Sequence, residues 1–451
     1  MENSSAQQDT AVTPEPVPWP SPIRAWFAVA VLMIALALSF VDRIVLALMV
    51  DPVRTDLGLK DTHVGMLLGF AFSVFYLVGA FPIARLADRH SRRLIMACGI
   101  FCWSIMTAVC GLAQSFWQLF SARAGVAVGE ASLAPSAFSM IADYFPRERL
   151  GFALGVYQSG IFIGVGVAYL AGGLVIAMVT ATSATALPVV GLLHPWQLAF
   201  MVVGLPGIVI AVLMLAVREP PRRGQLAEAK ALPLREVSAY MLGRWRAYLG
   251  HYLGFALLAV PSFTIAMWAP SYFIRVLGYS PPDAARTLGL MIIVLSPAGA
   301  LCGGMLADRW QRQGHLDAPI RVALVAVLAL LATSVAAPML TDPSLALLAF
   351  CPFVFASSLP TAVAPAALQL ITPNPLRAQA SALLLLSLNL ISSGLGPTAV
   401  GYINDAVFAN DKAVGLSMGL VNAVALVLAG LILLWVRTSF RAAAAEQAPA
   451  A

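Results

Sequence analysis

Charge is scarce in this chain: Asp, Glu, Lys and Arg make up only 11% of its 451 residues, while 60% are hydrophobic. A soluble domain carries about twice that charged fraction, so a water-soluble globule is excluded and an integral membrane protein is implied. Cysteine is equally sparse. The five, Cys98, Cys102, Cys110, Cys302 and Cys351, are odd in number and sit inside apolar runs. Cys98 and Cys102 are one helical turn apart but have no nearby His or carboxylate, so they read as packing residues, with no zinc or disulfide framework. No HExxH or GxSxG occurs, and His63, His90, His194, His251 and His315 are scattered. A lipid hydrolase or acyltransferase would need a nucleophile–base pair or metal ligands near a membrane face. An enzyme is therefore not expected, and no metal or cofactor is expected. His251, alone within a span, reads as a packed neutral residue. The opening stretch lacks the basic segment and cleavage site of a signal peptide, and residues 1–23 are expected to be a disordered cytoplasmic tail.

What the chain has in abundance is apolar segments of about twenty residues or more. They fall near 25–50, 62–84, 94–113, 117–143, 150–178, 196–217, 247–274, 286–306, 320–340, 343–370, 378–405 and 414–436. Each is long enough to cross roughly 30 Å of hydrocarbon as a helix. The fold class is thus an all-α membrane protein of twelve spans. Of 27 Lys and Arg residues, five fall on one side (Arg54, Lys60, Arg275, Arg286, Lys412), two inside spans (Arg43, Arg123), and the rest on the side of the termini. The net charge of +6 therefore follows topology, with both termini cytoplasmic, and calls for no nucleic acid. Between spans six and seven, residues 218–245 are rich in Pro, Gly and charge and form a cytoplasmic linker, whose middle can make an amphipathic surface helix. It separates a half at 24–217 from a half at 246–438, leaving 439–451 as a second tail.

The halves share wording. "LADR" occurs at 86–89 and again at 306–309, each time at the end of the second span of a half, and "PRERLGFAL" (146–154) has a fainter echo in "PLRAQASAL" (375–383). Parallel six-helix repeats related by an axis along the membrane normal are one architecture of secondary transporters. The stretch "ARLADRHSRR" resembles the signature of the major facilitator superfamily between its second and third helices, with Ala84 and Ser91 where Gly is usual. "RAGVAVGE" (123–130) is similar to that superfamily's motif in helix four. Asp88 beside Arg89, Arg92 and Arg93 is expected to form charge-assisted bonds across the cytoplasmic seam, closing the inside. A purely topological role for these arginines is the competing reading. Asp308 and Arg309 are expected to be a weaker second gate, having lost the paired Arg.

Away from helix ends, the ionisable residues inside the spans other than histidine are Asp42, Arg43, Arg123 and Glu130, all in the first half. Each costs roughly 2.5–3.5 kcal/mol at mid-membrane on insertion scales, and such residues face the bundle interior and mark ion or substrate paths. Arg123 and Glu130 are seven residues apart on one helical face, and Asp42 and Arg43 occupy overlapping depth on span one. If spans one and four touch, the four form one cluster. Burial and neighbouring Arg residues act in opposite directions on a carboxyl's proton affinity, which suits proton coupling; a static salt bridge is the alternative. Gly125-x3-Gly129 and Gly160-x3-Gly164 favour close helix packing around it.

The second half keeps only neutral polar groups, such as Ser357, Ser358, Thr361, Gln369, Asn389, Ser392 and Ser393. A cavity charged on one wall and oily on the other suits an amphipathic cargo. Asp42-Arg43, "RAGVAVGEAS", "IADYFPRER" and "GLGPTAVGYIND" (394–405) resemble the spinster-like branch of that superfamily, which implies a sphingolipid or lysolipid as cargo. The resemblance implies Asp42 and Glu130 as the protonating pair, with Arg43 and Arg123 as head-group contacts. Trp268 and Asn389 are expected to meet the substrate from the second half. Proton-coupled organic-anion symporters share the same four charged residues, and a sugar acid or carboxylate clamped by the two arginines is the rival cargo. A receptor without transport is the remaining class. A monomer in a bacterial inner membrane, among membrane lipids, is expected.

Overall fold

The computed structural model describes residues 19–180, 185–187, 191–222, 234–373 and 376–447. Among them are twelve helices long and apolar enough to span a membrane: α1 Pro22–Leu48, α2 Asp61–Ala87, α3 Arg92–Cys110, α4 Phe116–Tyr144, α5 Phe152–Met178, α6 Pro195–Ala216, α7 Trp245–Arg275, α8 Pro281–Arg312, α9 Ala318–Met339, α10 Pro343–Ile371, α11 Gln379–Phe408 and α12 Asp411–Gln447. The expected twelve are all present. Their starts follow local chemistry. Pro22, Pro195, Pro281 and Pro343 occupy first turns, where no intrahelical amide bond is lost. Ser91, Ser115, Ser280 and Asp342 cap α3, α4, α8 and α10, each accepting from the amide three residues on.

With twelve spans, the start of α1, the end of α6, the start of α7 and the end of α12 share one face, called here the terminal face; the other is the far face. On the far face a short helix, Val50–Asp56, follows α1, and β1 Thr185–Leu187 pairs antiparallel with β2 Gly191–Leu193 between α5 and α6. On the terminal face residues 439–447 continue α12 as helix. The linker's helix, Leu234–Gly243, docks on that extension: Arg244 pairs with Glu446 at 2.6 Å, and Gln447 donates to the Tyr240 hydroxyl. The extension ends in RAAAAEQ, a run of strong helix formers, and the docked linker helix adds a sequence-distant partner. Residues 1–18 and 223–233 lie outside the described residues.

Glycine sets the packing. Gly160 and Gly164 of α5 meet Met33 and Ala37 of α1, and Gly125 and Gly129 of α4 meet Met106 and Trp103 of α3, as their spacing predicts. Between the halves, α2 meets α11, and a Cβ on Gly69 would sit 2.6 Å from the Gly394 carbonyl oxygen. The matching contact joins α5 to α8, where Gly173 meets Ala285. Lipid-facing residues such as Leu205 and Val209 of α6, Leu328 of α9 and Leu431 of α12 remain exposed, as a hydrocarbon solvent permits.

The spans are not uniform. α4 breaks after Glu130, between Phe116–Glu130 and Leu133–Tyr144, and α10 breaks at Leu359, between Pro343–Ser358 and Pro360–Ile371. These are corresponding helices of the two halves, broken 15 and 16 residues from their starts. Interruptions in matching positions of a repeat point to the transport site. α2 and α11 carry π-helical stretches at Met66–Phe70 and Leu388–Leu395, which face each other across the seam.

Candidate transport site and far-face closure

The four intramembrane charges do meet. At the break in α4, Glu130 Oε2 accepts from Arg43 Nε at 3.1 Å and Nη2 at 2.5 Å. The Arg43 guanidinium lies 4.0 Å above the Phe72 ring and 5.1 Å from that of Phe40, a stacking that suits its planar cation. Glu130 is buried, whereas the Arg43 side chain keeps 17% exposure. Arg123, also buried, donates from Nη1 to the Asp42 main-chain oxygen at 3.0 Å and makes no ion pair among the described residues. Three buried polar atoms here have no hydrogen-bond partner: Asp42 Oδ1, Glu130 Oε1 and Arg123 Nε. Tyr76 of α2 stacks on Phe72, the ring beneath the Arg43 guanidinium. The expected cluster therefore exists, with Arg43 holding Glu130 and Arg123 holding the backbone of Asp42.

The second-half residues are placed differently. Trp268 is fully buried, and its indole donates to the Pro397 carbonyl at 2.9 Å. In this conformation it ties α7 to α11 and offers no surface to a cargo, contrary to its expected place at the substrate. By sequence, the aromatic run around it suits a lipid tail and an interfacial belt equally. Asn389 is half-buried within the π-helical stretch of α11 and donates to the Leu385 carbonyl.

With the far face closed, the described "LADR…RR" arginines make their contacts within one half. Arg92 is buried and binds Asp143 at 2.5 Å and Glu219 at 2.9 Å, so it fastens α3 to the ends of α4 and α6 within one half. Arg93 reaches Glu219 through its amide and the Leu215 carbonyl through its guanidinium. Burial raises the proton affinity of Glu219, but hydrogen bonds from the Arg93 amide, Arg92 and Ser91 outweigh it and hold its pKa below the ordinary value. Arg89 is exposed, and Asp308 and Arg309 are exposed without partners among the described residues. The Asp88 side chain lies outside the described residues. The other half has a counterpart with the charges exchanged: Asp317, before α9, accepts from Arg321 at 3.2 Å and from Arg437 of α12 at 2.5 Å.

Between described residues, every hydrogen bond or ion pair joining the two halves lies toward the far face. Asp61, fully buried at the start of α2, accepts from Arg275 Nη1 at 2.7 Å and Nη2 at 3.0 Å and from Asn404 Nδ2 at 2.7 Å. Arg275 also holds Asp51 at 2.6 Å, and Arg54 pairs with Asp411. Asp405 takes the amides of Asp61 and Thr62, and Thr398 donates to the Gly65 carbonyl. Sequence reasoning missed this network. Its signal was available: Arg54 and Arg275 are two of the five basic residues on the sparsely charged side, and an exception to a topological bias asks for a local reason.

A site of opposed charges at a break in α4, in a repeat whose halves are bonded to each other toward one face, fits an alternating-access carrier. The family model for the Major Facilitator Superfamily matches residues 32–397. The chain belongs to this superfamily. It is 29% identical over 420 residues to an MFS-type efflux pump of Mycolicibacterium smegmatis, covering 93% of this chain and 94% of that one. It is 31% identical over 272 residues to human protein spinster homolog 1, covering 58% of this chain and 49% of that protein, so the match spans about half its length. Similarity to the probable L-galactonate transporter of Escherichia coli is 27% over 317 residues, covering 67% of this chain and 65% of that one. Among solved structures, the bacterial homolog of the human lysosomal transporter Spinster, in its inward-facing and unoccupied conformation, superposes with a TM-score of 0.79 at 25% identity, covering 96% of this chain and all of that one. This superfamily member is thus an integral membrane transporter with a spinster-like fold.

Proposed function

We propose that the protein is a proton-coupled carrier of an amphipathic anion, a lysolipid or sphingolipid-like molecule, acting as a monomer in a bacterial inner membrane with its terminal face in the cytoplasm. The observation that carries this reading is the Arg43–Glu130 pair. Arg43 is the partly exposed member, and its planar donors suit a carboxylate or phosphate head group. While Glu130 is ionised it occupies those donors; once protonated it releases them to the cargo. Cargo on Arg43 and a proton on Glu130 therefore favour each other. Asp42, buried with an unpartnered oxygen, is the second protonation site, and Arg123 fixes its backbone. With the far face closed, the site is loaded from the cytoplasm in this state.

The second half favours a lipid over a sugar acid. It contributes no charge to the site, and four of its hydroxyls are already donated to the backbone: Ser357 and Ser358 to Val354, Thr361 to Ser358 and Ser392 to Ala256. Few donors remain for the hydroxyls of a sugar acid, whereas an acyl chain needs none. The similarity to an L-galactonate transporter supports that small acid as the second reading, with Arg43 and Arg123 as its clamp. The gating roles of Asp88, Arg89, Arg92, Arg93, Asp308 and Arg309 belong to the opposite, terminal-closed state.

The test uses proteoliposomes holding an internal pH dye. A lysophospholipid is expected to drive proton movement, and Glu130→Gln is expected to abolish it without unfolding the protein, with Asp42→Asn impairing it. Normal pH-dependent flux in both variants rejects the assignment. A response to sugar acids alone moves the protein to the second reading.

A further inference from the structure

At the terminal face, where the linker helix runs into α7, the surface carries both oil and charge. Leu242, near the end of the linker helix, is exposed, and so are Trp245, Arg246 and Leu249 on one side of the first turns of α7. α12 extends the patch. The Trp435 ring lies 5.8 Å from that of Trp245, and Leu431, one turn deeper in the membrane, is exposed as well. Trp245 and Trp435 are 46% and 48% exposed, and neither indole nitrogen donates to a described residue, so both rings keep a contact for something outside the protein.

Interfacial tryptophans are common in membrane proteins and by themselves select no lipid. Arg246 adds a choice. Its guanidinium lies 5.5 Å from the Trp245 ring centroid, and it has no ion pair among the described residues, whereas Arg244 beside it is held by Glu446 at 2.6 Å. Arg441, farther along α12, is exposed and likewise unpaired. The uncompensated charge at the patch is therefore positive. A planar guanidinium forks onto phosphate oxygens, and the two indole N–H groups are further donors at an apolar floor. The ammonium of a zwitterionic head group would meet that positive field; an anionic head group brings no such cation.

We propose that Trp245, Trp435 and Arg246 form a docking site for an anionic phospholipid of the terminal-face leaflet. Its phosphate sits on Arg246 and the indole N–H groups, and an acyl chain runs over Leu249 and Leu431 toward mid-membrane. The bound lipid spans the end of the linker helix, α7 and α12, and so reinforces the junction that Arg244 and Glu446 make. The transport site takes no part, since Arg43 and Glu130 belong to the other half. The docking site therefore stands whether or not transport is coupled to protons.

The experiment uses the full-length protein in mixed vesicles of phosphatidylglycerol and phosphatidylcholine, with brominated chains, which quench nearby tryptophans, on one lipid or the other. Subtracting the signal of a Trp245→Phe/Trp435→Phe variant isolates the pair from the rest of the nine tryptophans. The pair is expected to report phosphatidylglycerol about fivefold enriched over phosphatidylcholine at equal mole fraction, the preference that one arginine near the membrane surface supplies. Arg246→Gln, measured with the same subtraction, is expected to bring the two lipids close to equality with an unchanged thermal midpoint, because Arg246 is exposed and holds no ion pair. If the double variant does not fold, Trp245→Phe alone serves for the subtraction. Equal quenching by the two lipids in the wild type overturns the proposal and leaves an ordinary interfacial belt. Selectivity that survives Arg246→Gln overturns the assigned site, and absence of quenching by either lipid means that protein covers the patch.

Discussion

Asp405, at the far end of α11, accepts from both the amide and the hydroxyl of Thr62 at 2.6 Å, across 343 residues of sequence. An aspartate that caps a helix is ordinarily its near neighbour in sequence. Here the first turn of α2, in one half of the transporter, is capped by the other half, and the cap exists only while the far face is shut.

Asp405→Ala is therefore expected to shift the balance toward a far-face-open state. Losing a cap costs about 0.5–2 kcal/mol, which corresponds to roughly a 2–30-fold change in the ratio of states. Spin labels on the exposed far-face positions Lys60 and Lys412, in a background without the five native cysteines, read the ratio as a distance distribution. A distribution identical to that of the cysteine-free parent, which keeps Asp405, argues against the latch.

Arg275→Ala tests the same closure through a buried charge. Removing one partner of a buried ion pair commonly costs about 3–5 kcal/mol because the other charge is left stranded. Asp61, fully buried, would lose both Arg275 bonds and keep Asn404 and, at 3.5 Å, Arg54. The protein has an escape that a rigid fold lacks: opening the far face returns Asp61 to water. The penalty is then limited by the gap between the two states, and the variant is expected to populate the far-face-open form with only a small drop in thermal midpoint. A large drop with the same label distances would mean that the network holds the fold and does not gate it.

The twelve spans, the two halves and the four central charges were legible because each follows from a short-range property: apolar run length, side-chain period, or the expense of charge in hydrocarbon. Arg43 and Glu130 could be placed at overlapping depth by counting residues. What could not be read was pairing. Sequence offered Arg123 a carboxylate, yet it found the carbonyl of Asp42, because the break in α4 and the rotation of α1 decide which atoms face. In this state Arg92 lies between Asp143 and Glu219, acids with no local mark as partners. The far-face network was hidden for the same reason: "GYIND" displays Asn404 and Asp405 but not the distant Asp61 that they meet.

Asp317 gives a pH dependence with a definite sign. Burial pulls its pKa up, but the hydrogen bonds from Arg437 and Arg321 prevail and hold it below the ordinary value. A carboxyl depressed on folding contributes stability that is present above the unfolded value of about 3.9 and is lost as pH falls through the folded one. Asp317→Asn is accordingly expected to lower stability near pH 7 by roughly 1–3 kcal/mol, and the gap to wild type is expected to narrow in acid. Thermal unfolding in detergent across that range checks it, and a gap that widens on acidification has the wrong sign for this clamp.

Arg43 decides between charge and shape at the cargo site. Arg43→Lys preserves a cation opposite Glu130, so the proton exchange at that carboxyl should survive. It loses the planar fork and the stacking on Phe72, seen at 4.0 Å, and a compact ammonium does not replace them. Arg43→Ala goes further and leaves Glu130 buried without its partner, which favours keeping a proton on it throughout the cycle. Lysine is therefore expected to weaken cargo binding by roughly tenfold while proton movement persists at saturating cargo, whereas alanine is expected to abolish both. Equilibrium binding and dye-reported proton movement, measured on the same preparations, separate the two. Equal effects of the two substitutions would mean that the fork has no part in recognition and that any cation at this position serves.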